Sequence, residues 1–152
     1  MTDILTWAGW LLGSCALLYL VVCIVTTRLW FSRCVASAAS TPPISMLKPL
    51  CGMEPGLYEN LRSFCLQDYP EFQLIFGAQS ADDPALAVAH KLQIEFSNLN
   101  INIISGHRIR CGNLKVANLM QMEPCVAFEH LVISDSDIRV GNDYLRHLAG
   151  EL

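Results

Sequence analysis

Hydrophobic and polar positions change rhythm near residue 43 of this chain. Before that point, Ile4 to Thr27 runs for about 24 residues without a charged side chain, more than the roughly 20 that cross a bilayer as a helix. After it, short apolar runs alternate with segments whose apolar residues recur at helical spacing. Ile44–Leu50 reads as a strand, Pro55–Leu66 as a helix with Leu57, Leu61, Phe64 and Cys65 inward, and Phe72–Ala78 as a buried strand. A helix follows from Pro84 to about Phe96, with Ala85, Ala89, Leu92 and Phe96 at core spacing, then a strand over Ile101–Ser105. The loop from Gly106 leads to a short helix over Leu114–Met122, a strand over Leu131–Ser134 and, after Gly141-Asn142-Asp143, a helical pattern in Tyr144–Leu148.

Buried strands alternating with helices imply an α/β fold: a mainly parallel sheet covered on both faces, in the manner of a Rossmann-like half. No Gly-x-Gly-x-x-Gly follows the first strand and no Walker lysine motif is present, so dinucleotide and P-loop readings lose their main support. The expected organisation is a transmembrane helix at 4–27, a juxtamembrane linker at 28–43 ending in Thr41-Pro42-Pro43, and a domain at 44–152.

Trp7, Trp10, Tyr19 and Trp30 lie along the apolar run or near its ends, and the outer tryptophans suit interfacial anchoring. A cleaved signal peptide is the competing reading, because Ala36-Ser37-Ala38 resembles a cleavage site. Its flanks disagree: a signal peptide has a positive amino end and a run of about 7 to 15 apolar residues, whereas Asp3 precedes a longer run here. With Arg28 and Arg33 behind the span, the positive-inside rule places the domain on the cytoplasmic side of a single-pass membrane protein. The seven cysteines (15, 23, 34, 51, 65, 111 and 125) are odd in number and lack zinc spacing, and read as reduced, mostly buried small hydrophobes. A formal charge of −4 without a basic block excludes nucleic acid as a partner.

Candidate chemistry concentrates in His130-Leu-Val-Ile-Ser-Asp-Ser-Asp-Ile-Arg-Val140, where an apolar strand delivers Asp135 and Asp137 at its carboxyl end. Magnesium and manganese prefer carboxylate and phosphate oxygens, so such a pair can hold a cation that also bridges a diphosphate. In open α/β sheets the ligand crevice lies beyond the carboxyl ends of the strands. Three further groups belong to the same edge: Lys48-Pro49 after the first strand, Asp82-Asp83-Pro84 after the second, and Gly112-Asn113-Leu114-Lys115 before the helix that follows the third. Each has a structural explanation of its own. Lys48 suits a solvated strand end, Asp83-Pro84 a helix cap with proline at the first helical position, Gly112-Asn113 a tight turn, and the aspartates a polar turn. Lys115 near a helix start opposes the helix dipole, which points to an anionic neighbour. His90, His107, His130 and His147 show no catalytic or metal-ligand spacing.

Ile44-Ser-Met-Leu-Lys-Pro-Leu-Cys-Gly52, Glu54-Pro-Gly-Leu-Tyr-Glu-Asn-Leu61, Gln67-Asp-Tyr-Pro70, Asp82-Asp-Pro-Ala85, Gly112-Asn-Leu-Lys-Val-Ala-Asn-Leu119 and Asp135-Ser-Asp-Ile-Arg-Val140 occur in this order. In them the chain resembles the amino-terminal half of ceramide glucosyltransferase-like glycosyltransferases of the GT-A fold, whose bacterial branch includes hopanoid-associated enzymes. The resemblance implies that Asp83, with Asp82 beside it, contacts the nucleotide. It places Lys48 and Pro49 at the loop around the base and Lys115 near the diphosphate. Asp135 and Asp137 correspond to the Asp-x-Asp pair at the sugar nucleotide and the metal, Mg2+ or Mn2+, although some relatives carry glycine at the second position. The implied function is the donor-binding part of a membrane-anchored inverting transferase that moves a sugar from a UDP-sugar to a lipid acceptor, ceramide-like or hopanoid. Such enzymes carry a third aspartate as general base and a Gln/Arg-x-x-Arg-Trp motif, both expected beyond Leu152. The alternatives are a truncated, inactive membrane-anchored binding protein and an unrelated α/β nucleotide-binding module.

Overall fold

The computed structural model describes residues 2–32, 40–106 and 111–152. Residues 33–39 of the expected linker, with Arg33, Cys34 and the Ala36-Ser37-Ala38 site, and His107 fall outside them. The chain divides into two compact units, Met1–Ala36 and Ser37–Leu152.

The first unit is one helix, α1 (Thr2–Phe31), longer at both ends than the apolar run. Its segment Thr6–Trp30, 25 residues, is the one helix among the described residues long and apolar enough to cross a membrane. Two of its hydroxyls bond its own backbone: Ser14 Oγ donates to the Trp10 carbonyl at 2.8 Å and Thr26 Oγ1 to that of Val22 at 2.8 Å. A polar group that bonds within its own helix needs no water there.

The second unit alternates β1 (Ile44–Leu50), α2 (Leu57–Cys65), β2 (Phe72–Ala78), α3 (Ala85–Glu95), β3 (Asn100–Ser105), α4 (Leu114–Met122), a short 3-10 turn (Glu123–Cys125), β4 (His130–Ile133) and α5 (Tyr144–Ala149). The strands form one sheet in the order β3-β2-β1-β4, and every pairing is parallel. The chain therefore lays strands outward from β1 on one side, then crosses to its other flank for β4. Between β1 and β4 lies the order reversal where open α/β sheets form their crevice.

Alternation along β1 and β2 fills two layers. Ile44, Met46 and Leu50 with Phe72, Leu74, Phe76 and Ala78 meet Leu57, Leu61 and Phe64 of α2, Ala85, Ala89 and Leu92 of α3, and Leu145 and Ala149 of α5. On the opposite face, Leu47 and Ile75 pack under Met122 of α4. Gly77 of β2 lies beneath that helix, and a Cβ there would collide with Met122 Sδ and Asn118 Oδ1. A buried polar pair links the layers to the return crossover: Ser45 Oγ donates to Gln73 Oε1 at 2.8 Å, while Gln73 Nε2 donates to the Cys125 carbonyl at 2.9 Å. Gln73 Oε1 also accepts from Ala127 N at 3.0 Å, and Ser45 Oγ from Phe128 N at 3.1 Å.

Two expectations require correction. The fourth strand is not buried on both faces: Leu131 and Ile133 remain 50% and 53% exposed, because β4 is an edge strand and no helix among the described residues covers its α4-side face. Nor are the cysteines mostly buried. Among those described only Cys65 is; Cys15 and Cys51 are exposed and the rest intermediate, and all are free thiols.

Candidate functional site

At the reversal point, the ends of β1, β2 and β4 and the start of α4 enclose a cleft of about 410 Å3. Its wall includes Pro49, Glu54, Gln79, Asp83, Lys115, Asn118, Asp135 and Asp137. Four separate segments of sequence thus converge on one space, as the motif spacing anticipated.

Asp83 reaches the cleft through the loop after β2. Its two carboxylate oxygens accept from Gly52 N at 3.0 and 3.1 Å, and Oδ1 also accepts from Ala85 N at 2.9 Å. One side chain therefore caps α3 and ties down the β1–α2 loop. Gly52 sits at φ +71°, a left-handed conformation that aims its N–H at Asp83 and that a side chain would strain. Pro84 has helical backbone angles, and Leu86 N bonds the Asp83 carbonyl at 3.0 Å, so the cap expected from sequence forms at this point.

Asn113 starts α4, its Oδ1 accepting from Lys115 N at 3.0 Å and Val116 N at 3.3 Å. The residue expected to make a tight turn with Gly112 is thus a helix cap. Lys115 then reaches across to the end of β4, its Nζ 2.5 Å from Asp135 Oδ1, with both side chains about half exposed. The anionic neighbour anticipated from the position of Lys115 is Asp135.

The acidic turn is held where backbone pairing stops. Ser134 N donates to the Leu47 carbonyl at 3.1 Å, the final rung between β1 and β4. Beyond it, Ser136 Oγ donates to Glu54 Oε2 at 2.8 Å, and Lys48 Nζ bonds Ser134 Oγ at 3.2 Å and the Asp135 carbonyl at 2.5 Å. Lys48 is fully buried, with its Nζ 3.5 Å from the centre of the Phe64 ring. Burial lowers its pKa to about 7, against the opposing pull of Asp135, Asp137 and Glu54.

Pro49, Asp83, Lys115, Asp135 and Asp137 line the cleft; Lys48 and Asp82 do not. Lys48 lies on the core-facing side of β1 rather than at a solvated end, and Asp82 is exposed. Sequence reasoning passed over Glu54, Gln79 and Asn118. Gln79 directly follows β2, and its Nε2 donates to the Leu114 carbonyl at 3.0 Å. Asn118 stands one helical turn after Lys115 and gives its amide to the Gly77 carbonyl at 2.8 Å. The signal for both was available: polar residues adjoining a strand end or sharing a helix face with a cleft lysine.

No group of three His, Cys, Asp or Glu side chains that could cage a metal occurs among the described residues. The cleft is lined by the carboxylate residues Glu54, Asp83, Asp135 and Asp137, which offer hard oxygen donors. One or two carboxylates completed by phosphate and water is the way Mg2+ binds beside a nucleotide, so the site fits a cation brought in with a diphosphate.

Similarity to known proteins follows the same lines. Ceramide glucosyltransferase 3 of Caenorhabditis elegans is 25% identical over 149 residues, 98% of this chain and 32% of the relative. Ceramide glucosyltransferase 1 of the same organism is 32% identical over 108 residues, 71% of this chain and 23% of the relative. The chain therefore spans about a third or less of the length of these relatives. Among solved structures, the mannosyltransferase PcManGT from Pyrobaculum calidifontis, in complex with GDP-Man and Mn2+, superposes with a TM-score of 0.67 at 15% identity, covering 86% of this chain and 39% of that one. S. aureus TarS in complex with UDP-GlcNAc gives 0.54 at 22% identity over 70% of this chain and 30% of that one. These two likenesses show the glycosyltransferase GT-A fold. The sequence model of glycosyl transferase family 21 matches residues 8–152, so the chain belongs to that family.

Proposed function

We propose that this chain forms the donor-binding part of a membrane-anchored, inverting glycosyltransferase that transfers a sugar from a UDP-sugar to a lipid acceptor. The observation that carries this reading is the convergence of Asp83, Lys115, Asp135 and Asp137 on one cleft at the strand-order reversal. Family membership sets the reaction class, and the curated relatives, named ceramide glucosyltransferases, favour a sphingolipid-like alcohol as acceptor.

In this reading the base enters between the β1–α2 loop, from Pro49 to Glu54, and Asp83. Asp83, already held by two backbone N–H groups, presents a fixed acceptor to a nucleoside donor group. Asp135 and Asp137 would hold Mg2+ or Mn2+ beside the diphosphate. When bound, the cation neutralises charge that builds on the departing nucleoside diphosphate. Lys115 supplies a positive charge of the chain's own and would turn from Asp135 toward the diphosphate when the donor binds. Transfer itself, with its acceptor and general base, belongs to a whole protein of the length of the curated relatives. The apolar segment Thr6–Trp30 anchors it in the bilayer, with the catalytic unit on the cytoplasmic side.

Calorimetry on the full chain in detergent tests the donor site. UDP is expected to bind in the presence of Mg2+ or Mn2+ and to lose at least tenfold in affinity in chelator and in Asp137→Ala. Equal affinity with and without metal, or an unaffected Asp137→Ala, would remove the assignment.

A further inference from the structure

Lys48 is a basic residue in the middle of an otherwise buried parallel strand, a position that opposes the general rule against burying an amine. Its surroundings explain how it is tolerated. A lysine head has three donors and no acceptor. One meets Ser134 Oγ at 3.2 Å, one the Asp135 carbonyl at 2.5 Å, and the Phe64 ring lies 3.5 Å from Nζ. The head is saturated from within the fold, so a bound nucleotide finds no free donor on it. Its two oxygen partners belong to the first residues of the acidic turn, just past the last rung of the β1–β4 ladder at Ser134. From the other side, Glu54 fixes the same turn through Ser136 Oγ.

We infer that Lys48 is a positioning residue for the acidic pair. Its side chain continues the strand pairing past Ser134, seats the Asp135 carbonyl from beneath, and thereby turns the Asp135 and Asp137 carboxylates toward the cleft. This inference rests on the donor-site reading for its consequence, but the seating of the turn stands independently of what the cleft binds. Of Lys48 and Pro49, which the resemblance sets together at the loop around the base, Pro49 lines the cleft and Lys48 lies on the opposite, core-facing side of β1.

The test compares Lys48→Met, which keeps the length of the side chain without its donors, with wild type and with Ser134→Ala. Amide hydrogen exchange on the full chain in detergent is the first readout. Exchange in residues 134–138 should accelerate at least tenfold in Lys48→Met, and to a smaller extent in Ser134→Ala, while β2 and β3 keep wild-type protection. The second readout is a ratio: Mn2+-dependent UDP affinity should fall at least tenfold in Lys48→Met while affinity for uridine, which lacks the diphosphate, changes less than twofold. Unchanged exchange at 134–138, or UDP and uridine affinities that fall in parallel, would overturn the positioning role. If Lys48→Met does not fold, Ser134→Ala alone decides by the same two readouts. Wild-type protein that fails to bind UDP refutes the donor-site reading, and hydrogen exchange then still judges the seating of the turn.

Discussion

With Oδ1 2.5 Å from Lys115 Nζ, Asp135 already has one positive partner, and a cation taking that oxygen would displace it. The pair is half exposed, so it contributes less than about 1 kcal/mol to folding. Lys115→Ala should therefore leave stability within about 0.5 kcal/mol of wild type. It should weaken UDP binding about tenfold, or about 1.4 kcal/mol, while Mn2+ alone binds no more weakly, because Asp135 is then free. Calorimetric titrations of UDP and of Mn2+ separate the two effects, and a parallel loss in both would contradict the exchange. Lys48 carries the opposite kind of charge problem. Its pKa is about 7 in the folded chain against 10.5 when solvated, so between those values the unfolded state binds the proton that the folded state has released. Stability attributable to this side chain therefore rises as pH climbs from 7 toward 10, and below 7 the cost of burying the charge applies in full. Urea unfolding at pH 6.5 and 9.5 should show wild type gaining on Lys48→Met at the higher pH; a pH-independent difference between them would contradict it.

The elements were legible because each obeyed a local rule. β1, β2 and α4 have the limits their apolar runs and caps imply, and α2 and α3 differ only by frayed turns at their ends. What could not be read was which strand forms the edge, since an exposed Leu131 and Ile133 look in sequence like the buried pair of an inner strand. Lys48 was misread for a related reason: alternation assigned it to a face, but only the packing of Phe64 and the return of β4 reveal that this face is the interior. Asp83 and Asn113 were legible as types and not as partners; the bond from Gly52 to Asp83 spans 31 residues, and no local pattern encodes it. Two substitutions test the elements. Gly77→Ala forces a methyl against Met122 and Asn118 and should destabilise the unit by about 1–3 kcal/mol while lifting α4 from β2. Asn113→Ala removes the cap of α4 and should cost about 1 kcal/mol. Chemical denaturation measures both, and a neutral Gly77→Ala would contradict the close seating of α4 on β2.

At the scale of the whole molecule, an apolar helix and an α/β unit with its own core share one chain. Insertion of Thr6–Trp30 predicts a protein that resists carbonate extraction and shields a carboxyl-terminal tag from protease in sealed inverted vesicles only when the orientation is opposite to that proposed. A tag digested in inside-out vesicles places the unit on the cytoplasmic side, and a protected one reverses the topology. The central claim is more local: the cleft between β1, α4 and the end of β4 is where the nucleotide-sugar donor binds. Photolabelling the full chain with an azido-uridine analogue of UDP-glucose, followed by peptide mapping, tests it most directly. Label should enter the Pro49–Glu54 or Gln79–Asp83 segment, require Mg2+ or Mn2+, and be blocked by UDP. Label elsewhere in the chain, or label in these segments that UDP does not block, would contradict it.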